Sequence, residues 1–87
     1  MIDKEKLIKL NNVRQIIASI THNNYKQYNL NKIVSNIKEL KEIMRILGYR
    51  VFDKEKIGDT VFDYFIKKKT TDIICCYNDK NIIMYSV

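Results

Sequence analysis

At Gly48 the apolar pattern changes period, and no other feature restricts so strongly what this 87-residue chain can fold into. Before it, apolar residues recur three and four apart, the spacing of one helix face; after it they cluster in short β-branched and aromatic runs. A chain of this length supports one core, so both patterns belong to a single domain, residues 1–87. The fold class that follows is α+β: an N-terminal antiparallel αα-hairpin packed on a small C-terminal antiparallel sheet of three to four strands.

Leu10, Val13, Ile17 and Ile20 define the first helix, which Asp3 can cap. Leu30, Ile33, Ile37, Leu40, Met44 and Leu47, widened by Val34, predict a second helix with Asn29 before it and Gly48 as its stop. The polar connection Thr21 to Tyr28 is short enough to make the helices antiparallel neighbours. Beyond Gly48, "YRVF", "VFDYFIK", "DIICCY" and "IIMYSV" read as strands, and "NDKN" from Asn78 to Asn81 as a hairpin turn. The stretch around residues 60–68 also suits a short third helix capped by Asp59, although its aromatic content favours a strand.

Several function classes lack their chemistry. Cys75 and Cys76 are adjacent and must point to opposite faces of a strand, so they read as sheet filling. With His22 as the sole histidine, the sequence offers neither a four-ligand metal site nor a base paired with a nucleophile. No catalytic residue, metal or cofactor is therefore assigned, and the expectation is a non-enzymatic protein. No apolar run approaches the roughly 20 residues of a membrane span and Met1 to Asn12 lacks a secretory signal's apolar centre, so a cytoplasmic location without membrane contact is expected.

The charge is uneven. Residues 1–47 carry nine Lys or Arg against four Asp or Glu, a net of +5, whereas residues 48–87 carry seven against six, a net of +1. Between Glu5 and Glu39 there is no acid, while Lys6, Lys9, Arg14, Lys26, Lys32 and Lys38 are basic, which predicts six uncompensated charges on the helical hairpin. Asn23 and Asn24 supply amides to the same region, and Tyr25 and Tyr28 supply stackable rings. These ten residues form the expected binding surface for RNA, DNA or a nucleoprotein complex. The lysine run Lys67 to Lys69 lies in the nearly neutral half and reads as a solvated rim.

Size, composition and charge suit a small regulator or inhibitor of the phage or mobile-element kind, anti-defence proteins included, acting in the host cytoplasm. The bias toward Ile, Lys, Asn and Tyr, which A/T-rich codons would produce, also accounts for part of the basic and amide content. Two other readings compete. One is a purely protein-binding or homodimerising module using the apolar stripe of the second helix or a free sheet edge. The other is a small basic ribonuclease toxin in which His22, Arg14, Tyr25, Lys26 and Tyr28 would converge on a phosphate.

Overall fold

The computed structural model describes residues 3–22, 27–67 and 73–86. Helix α1 spans Lys4–His22, strand β1 Gln27–Asn29, helix α2 Ile37–Ile46, and strands β2 to β5 span Arg50–Ile57, Thr60–Ile66, Ile73–Tyr77 and Ile82–Ser86. The strands form one antiparallel sheet in the order β1-β5-β4-β3-β2. The α+β class holds, with five strands rather than three to four, and residues 60–66 are strand rather than a third helix.

Local chemistry explains most boundaries. The Asp3 carboxylate accepts the Lys6 N–H at 2.8 Å and caps α1. Gly48, at φ +97°, ends α2: its N–H reaches the Arg45 carbonyl and the Tyr49 N–H reaches the Met44 carbonyl, a Schellman closure. Gly58, at φ +60°, opens the two-residue turn that pairs Ile57 with Thr60 and so lengthens "YRVF" into an eight-residue strand. In the "NDKN" turn, the Asn78 side chain accepts the N–H groups of Lys80 and Asn81 at 2.8 and 2.9 Å.

The second helix departs from its expected bounds. Asn29 ends β1, which adds to the sheet beside β5, and the Leu30 N–H bonds the Ile82 carbonyl at 2.8 Å. The Asn31 side chain accepts the Ile82 N–H and donates to the Lys80 carbonyl, holding this segment to the β4–β5 turn. Asparagine competes with helical backbone in this way, so α2 starts only at its own cap, Asn36, whose side chain accepts the Glu39 N–H at 2.9 Å. The expected helical hairpin is thus a helix, a short strand and a ten-residue helix.

Both helices pack on the same face of the sheet. Leu10, Val13, Ile17 and Ile20 of α1 and Leu40, Ile43 and Met44 of α2 close over Phe65, Ile73, Cys75 and Met84. Leu30 and Val34 remain in this core although they lie outside α2. The apolar stripe of α2 is consequently core and unavailable as a dimer seam. Strand alternation sends Phe62, Tyr64, Ile66, Ile74, Cys76, Ile83 and Tyr85 to the other face, which no described helix covers.

Candidate functional site

The described residues of the predicted basic surface do not gather into one patch. Lys6 Nζ lies 2.9 Å from Glu42, and Lys9 Nζ lies 3.0 Å from Glu39 and 3.9 Å from Glu5. The acid-free interval of α1 is therefore answered in space by acids of α2, which corrects the expectation of six uncompensated charges. The Lys6 ammonium is held above its ordinary value by Glu42, and Glu39 is held below its own by the Ser35 N–H and then by Lys9. Lys6 and Lys9 are braces between the helices.

The other predicted residues also separate. Arg14 is exposed on α1 and lines a shallow groove with Ile17, Ala18, Ile46 and Tyr49. Lys32 is exposed in the turn after β1, and Lys38 is exposed on α2. Tyr28 is half-buried against the core and not free to stack on a base. Asn23, Asn24, Tyr25 and Lys26 lie outside the described residues, as do Lys68 and Lys69. His22 is exposed at the end of α1, roughly 12 Å of helix beyond Arg14, and Tyr28 is turned into the core, so the described members of the ribonuclease constellation do not converge.

A different set does come together. Lys38, Lys41 and Arg45 sit at i, i+3 and i+7 on α2, rising along one side of the helix. With Glu42, Val51 and Phe65 they line a cleft of about 410 Å³ between α2 and the β2–β3 hairpin. Lys54 and Lys56 extend the positive rim on β2, because they pair with Asp63 and Val61 and so share the helix-side face. The acids present are engaged: Glu42 holds Lys6, and Asp63 is occupied from both sides of the cleft.

Asp63 organises the site. It is fully buried on β3, between Val61 and Phe65 on the same face, with Lys41 Nζ 3.1 Å from Oδ2 and Lys54 Nζ 3.8 Å from Oδ1. Neither oxygen accepts a hydrogen bond of good geometry from the described residues, so the two ammonium groups carry its compensation. Burial alone would lower the Lys41 ammonium, but the Asp63 carboxylate outweighs it and holds the group above its ordinary value. Lys41 also stands 5.7 Å over the Tyr77 ring, whose hydroxyl is raised by burial and by Asp63. The carboxylate thus fixes one lysine from α2 and draws in one from β2.

Cys75 lies opposite Asp63 in the β3–β4 register and is fully buried. Burial, reinforced by Asp63, raises its thiol far above the ordinary range and keeps it protonated. Cys76 is half-buried on the opposite face, as strand alternation requires. Among the described residues no group of three or more His, Cys, Asp or Glu side chains is placed to hold a metal ion. No described helix is long and apolar enough to cross a membrane.

Lys41, Arg45, Lys54 and Asp63 were not singled out by sequence. The signal for Asp63 was its position: in "VFDYF" an acid occupies the core-facing register between Val61 and Phe65. Comparison of the chain with protein-family models, curated proteins and solved structures finds no match.

Proposed function

We propose that this protein is a non-enzymatic binding protein that engages RNA or DNA, free or within a nucleoprotein machine, through the basic cleft between α2 and β2. The carrying observation is the alignment of Lys38, Lys41 and Arg45 on one side of α2 facing Lys54 on β2, with the neighbouring acids engaged in ion pairs. Phosphates are attracted by Lys and Arg free of competing carboxylates, here Lys38 and Arg45, which stand roughly 10 Å apart along α2 with Lys41, shared with Asp63, between them. The contact to the backbone carries little sequence preference, so specificity comes from what surrounds the phosphates.

Binding of this kind acts by occupancy. A small chain lying across the phosphates of a guide, a target or a structured RNA denies that surface to the machine that needs it. That mode of action is the one proposed for this chain as a regulator or inhibitor of the phage or mobile-element type, anti-defence proteins included.

The test is titration of fluorescently labelled RNA and DNA oligonucleotides at several salt concentrations. With two to three phosphate contacts, affinity falls roughly 7- to 40-fold between 50 and 200 mM salt. Replacing Lys38 and Arg45 by Glu weakens binding at least tenfold and flattens the salt slope. Absence of binding to RNA, DNA and nucleoprotein, or binding that ignores both substitutions, overturns the proposal.

A further inference from the structure

The face of the sheet turned away from the helices carries chemistry of the opposite kind to the cleft. The β3, β4 and β5 registers place Phe62, Tyr64, Ile66, Ile74, Cys76, Ile83 and Tyr85 on it, and Phe52, at the bulge of β2, joins them edge-to-face with Tyr64 at 6.1 Å. Ile74 is 92% buried, flanked by Tyr64 and Tyr85 in register, yet it stands apart from the main core. Phe52 and Ile57 are 49% and 61% exposed, on a strand that lies at the sheet edge and is exposed throughout.

We infer that this face is a self-association surface, on which a second copy of the chain packs sheet against sheet. Charge argues against nucleic acid here: among the described residues, the side chains on the face that are charged at neutral pH are Arg50, Asp53 and Glu55, one base and two acids, all on β2. Glu55 accepts the Tyr64 hydroxyl at 3.0 Å, which keeps the acid beside the aromatic ring that a base would have to stack on. The same three charges suit a copy of the chain. A two-fold axis lying in the interface perpendicular to the strands runs β2 antiparallel over its counterpart and brings Arg50 toward the acids of the other copy.

Area agrees. Five strands about 4.8 Å apart and roughly five residues long present a footprint near 400 Å², so two faces together bury on the order of 1,000 Å² of accessible surface. That is the lower end for a specific interface and gives a reversible dimer. The helices lie on one side of the sheet and no described helix covers the other, so this packing gives that second side a covering layer. The dimer leaves the cleft of α2 open on the outer side, so it stands or falls independently of nucleic-acid binding.

Sedimentation velocity of nuclease-treated protein from about 1 to 300 µM, in low and high salt, reads the mass directly. The expected result is a shift from the mass of one chain to twice that mass, retained in high salt because apolar burial drives it. Phe52→Glu, at an exposed position that folding tolerates, abolishes the shift, while Leu7→Glu on the exposed side of α1 leaves it in place. In the wild-type protein, the rate at which a thiol reagent labels Cys76 falls at least fivefold over the same range, with Cys75 inert throughout. A single-chain mass over the whole range overturns the inference. So does a dimer indifferent to Phe52→Glu in which Cys76 labelling does not depend on concentration, or a nucleic-acid affinity that Phe52→Glu abolishes.

Discussion

Removing one partner of the Lys41–Asp63 pair does not cost the same from each side, and the difference tests the account of the cleft. Asp63 is fully buried, whereas the Lys41 and Lys54 side chains retain 32% and 54% of their exposure. At an effective dielectric constant of about 20, ammonium groups at 3.1 and 3.8 Å attract the carboxylate by roughly 5 and 4 kcal/mol, which offsets a desolvation cost of several kcal/mol. Asp63→Asn removes the attraction together with the buried charge, and both lysines reach water from where they stand. Its expected cost is about 1–2 kcal/mol, set mainly by the poorly bonded amide.

Lys41→Met leaves the carboxylate buried with Lys54 alone, the more distant and more exposed partner, and costs about 3–5 kcal/mol. Replacing both, Asp63→Leu with Lys41→Met, removes the stranded charge and restores at least 2 kcal/mol of that loss. Urea denaturation of the three variants measures these differences, provided the slope with denaturant is unchanged. If Lys41→Met costs no more than Asp63→Asn, or the double variant is no more stable than Lys41→Met, Asp63 is not compensated as described. The pH dependence has a definite sign. Lys41 is raised in the folded state, so its contribution is fully present below its ordinary value of 10.5 and is lost as pH climbs through the higher folded value.

Glu39 braces α2 by accepting the Ser35 N–H at 2.8 Å and pairing with Lys9, and Glu39→Gln costs about 1 kcal/mol at pH 7 in thermal or urea unfolding. Because its folded value lies below 4.5, that contribution is present above 4.5 and vanishes as pH falls through the folded value, so wild type and variant converge in acid. Asn31→Ala deletes the side-chain contacts to Ile82 and Lys80 and costs about 1–2 kcal/mol, with faster amide exchange at Ile82. Gly58→Val forces a β-branched residue to φ +60° and costs about 1–2 kcal/mol although nothing crowds the site; equal stability to wild type would refute the turn geometry.

The parts of the fold legible in the sequence are those set by local rules. The α1 stripe, the Asp3 cap, the Gly48 stop, the last three strands and the "NDKN" turn each depend on residues within a few positions of one another. Leu30 to Leu47 misled because periodicity reports burial before it reports helix: Leu30 and Val34 reach the core from a strand end and a turn. What decides against helix there is the Asn31 side chain bonding to residues about fifty positions away, a contact invisible to any window. The Ile57-Gly58-Asp59-Thr60 hairpin, by contrast, had a readable glycine signal and passed unused.

The charged surface shows the same division more sharply. Counting along the chain places six free positive charges between Lys6 and Lys38, since no acid lies between Glu5 and Glu39 in sequence; folding brings Glu39 and Glu42 onto Lys9 and Lys6 and neutralises those two internally. Of the predicted lysines that are described, Lys38 alone lines the cleft, and its basic neighbours there, Lys41, Arg45 and Lys54, come from α2 and from a strand at the sheet edge. Net charge is conserved under folding but its distribution is not. A basic surface is therefore defined by which cations remain after tertiary pairing, and here Lys38 and Arg45 remain on either side of Lys41, which a buried acid holds in place.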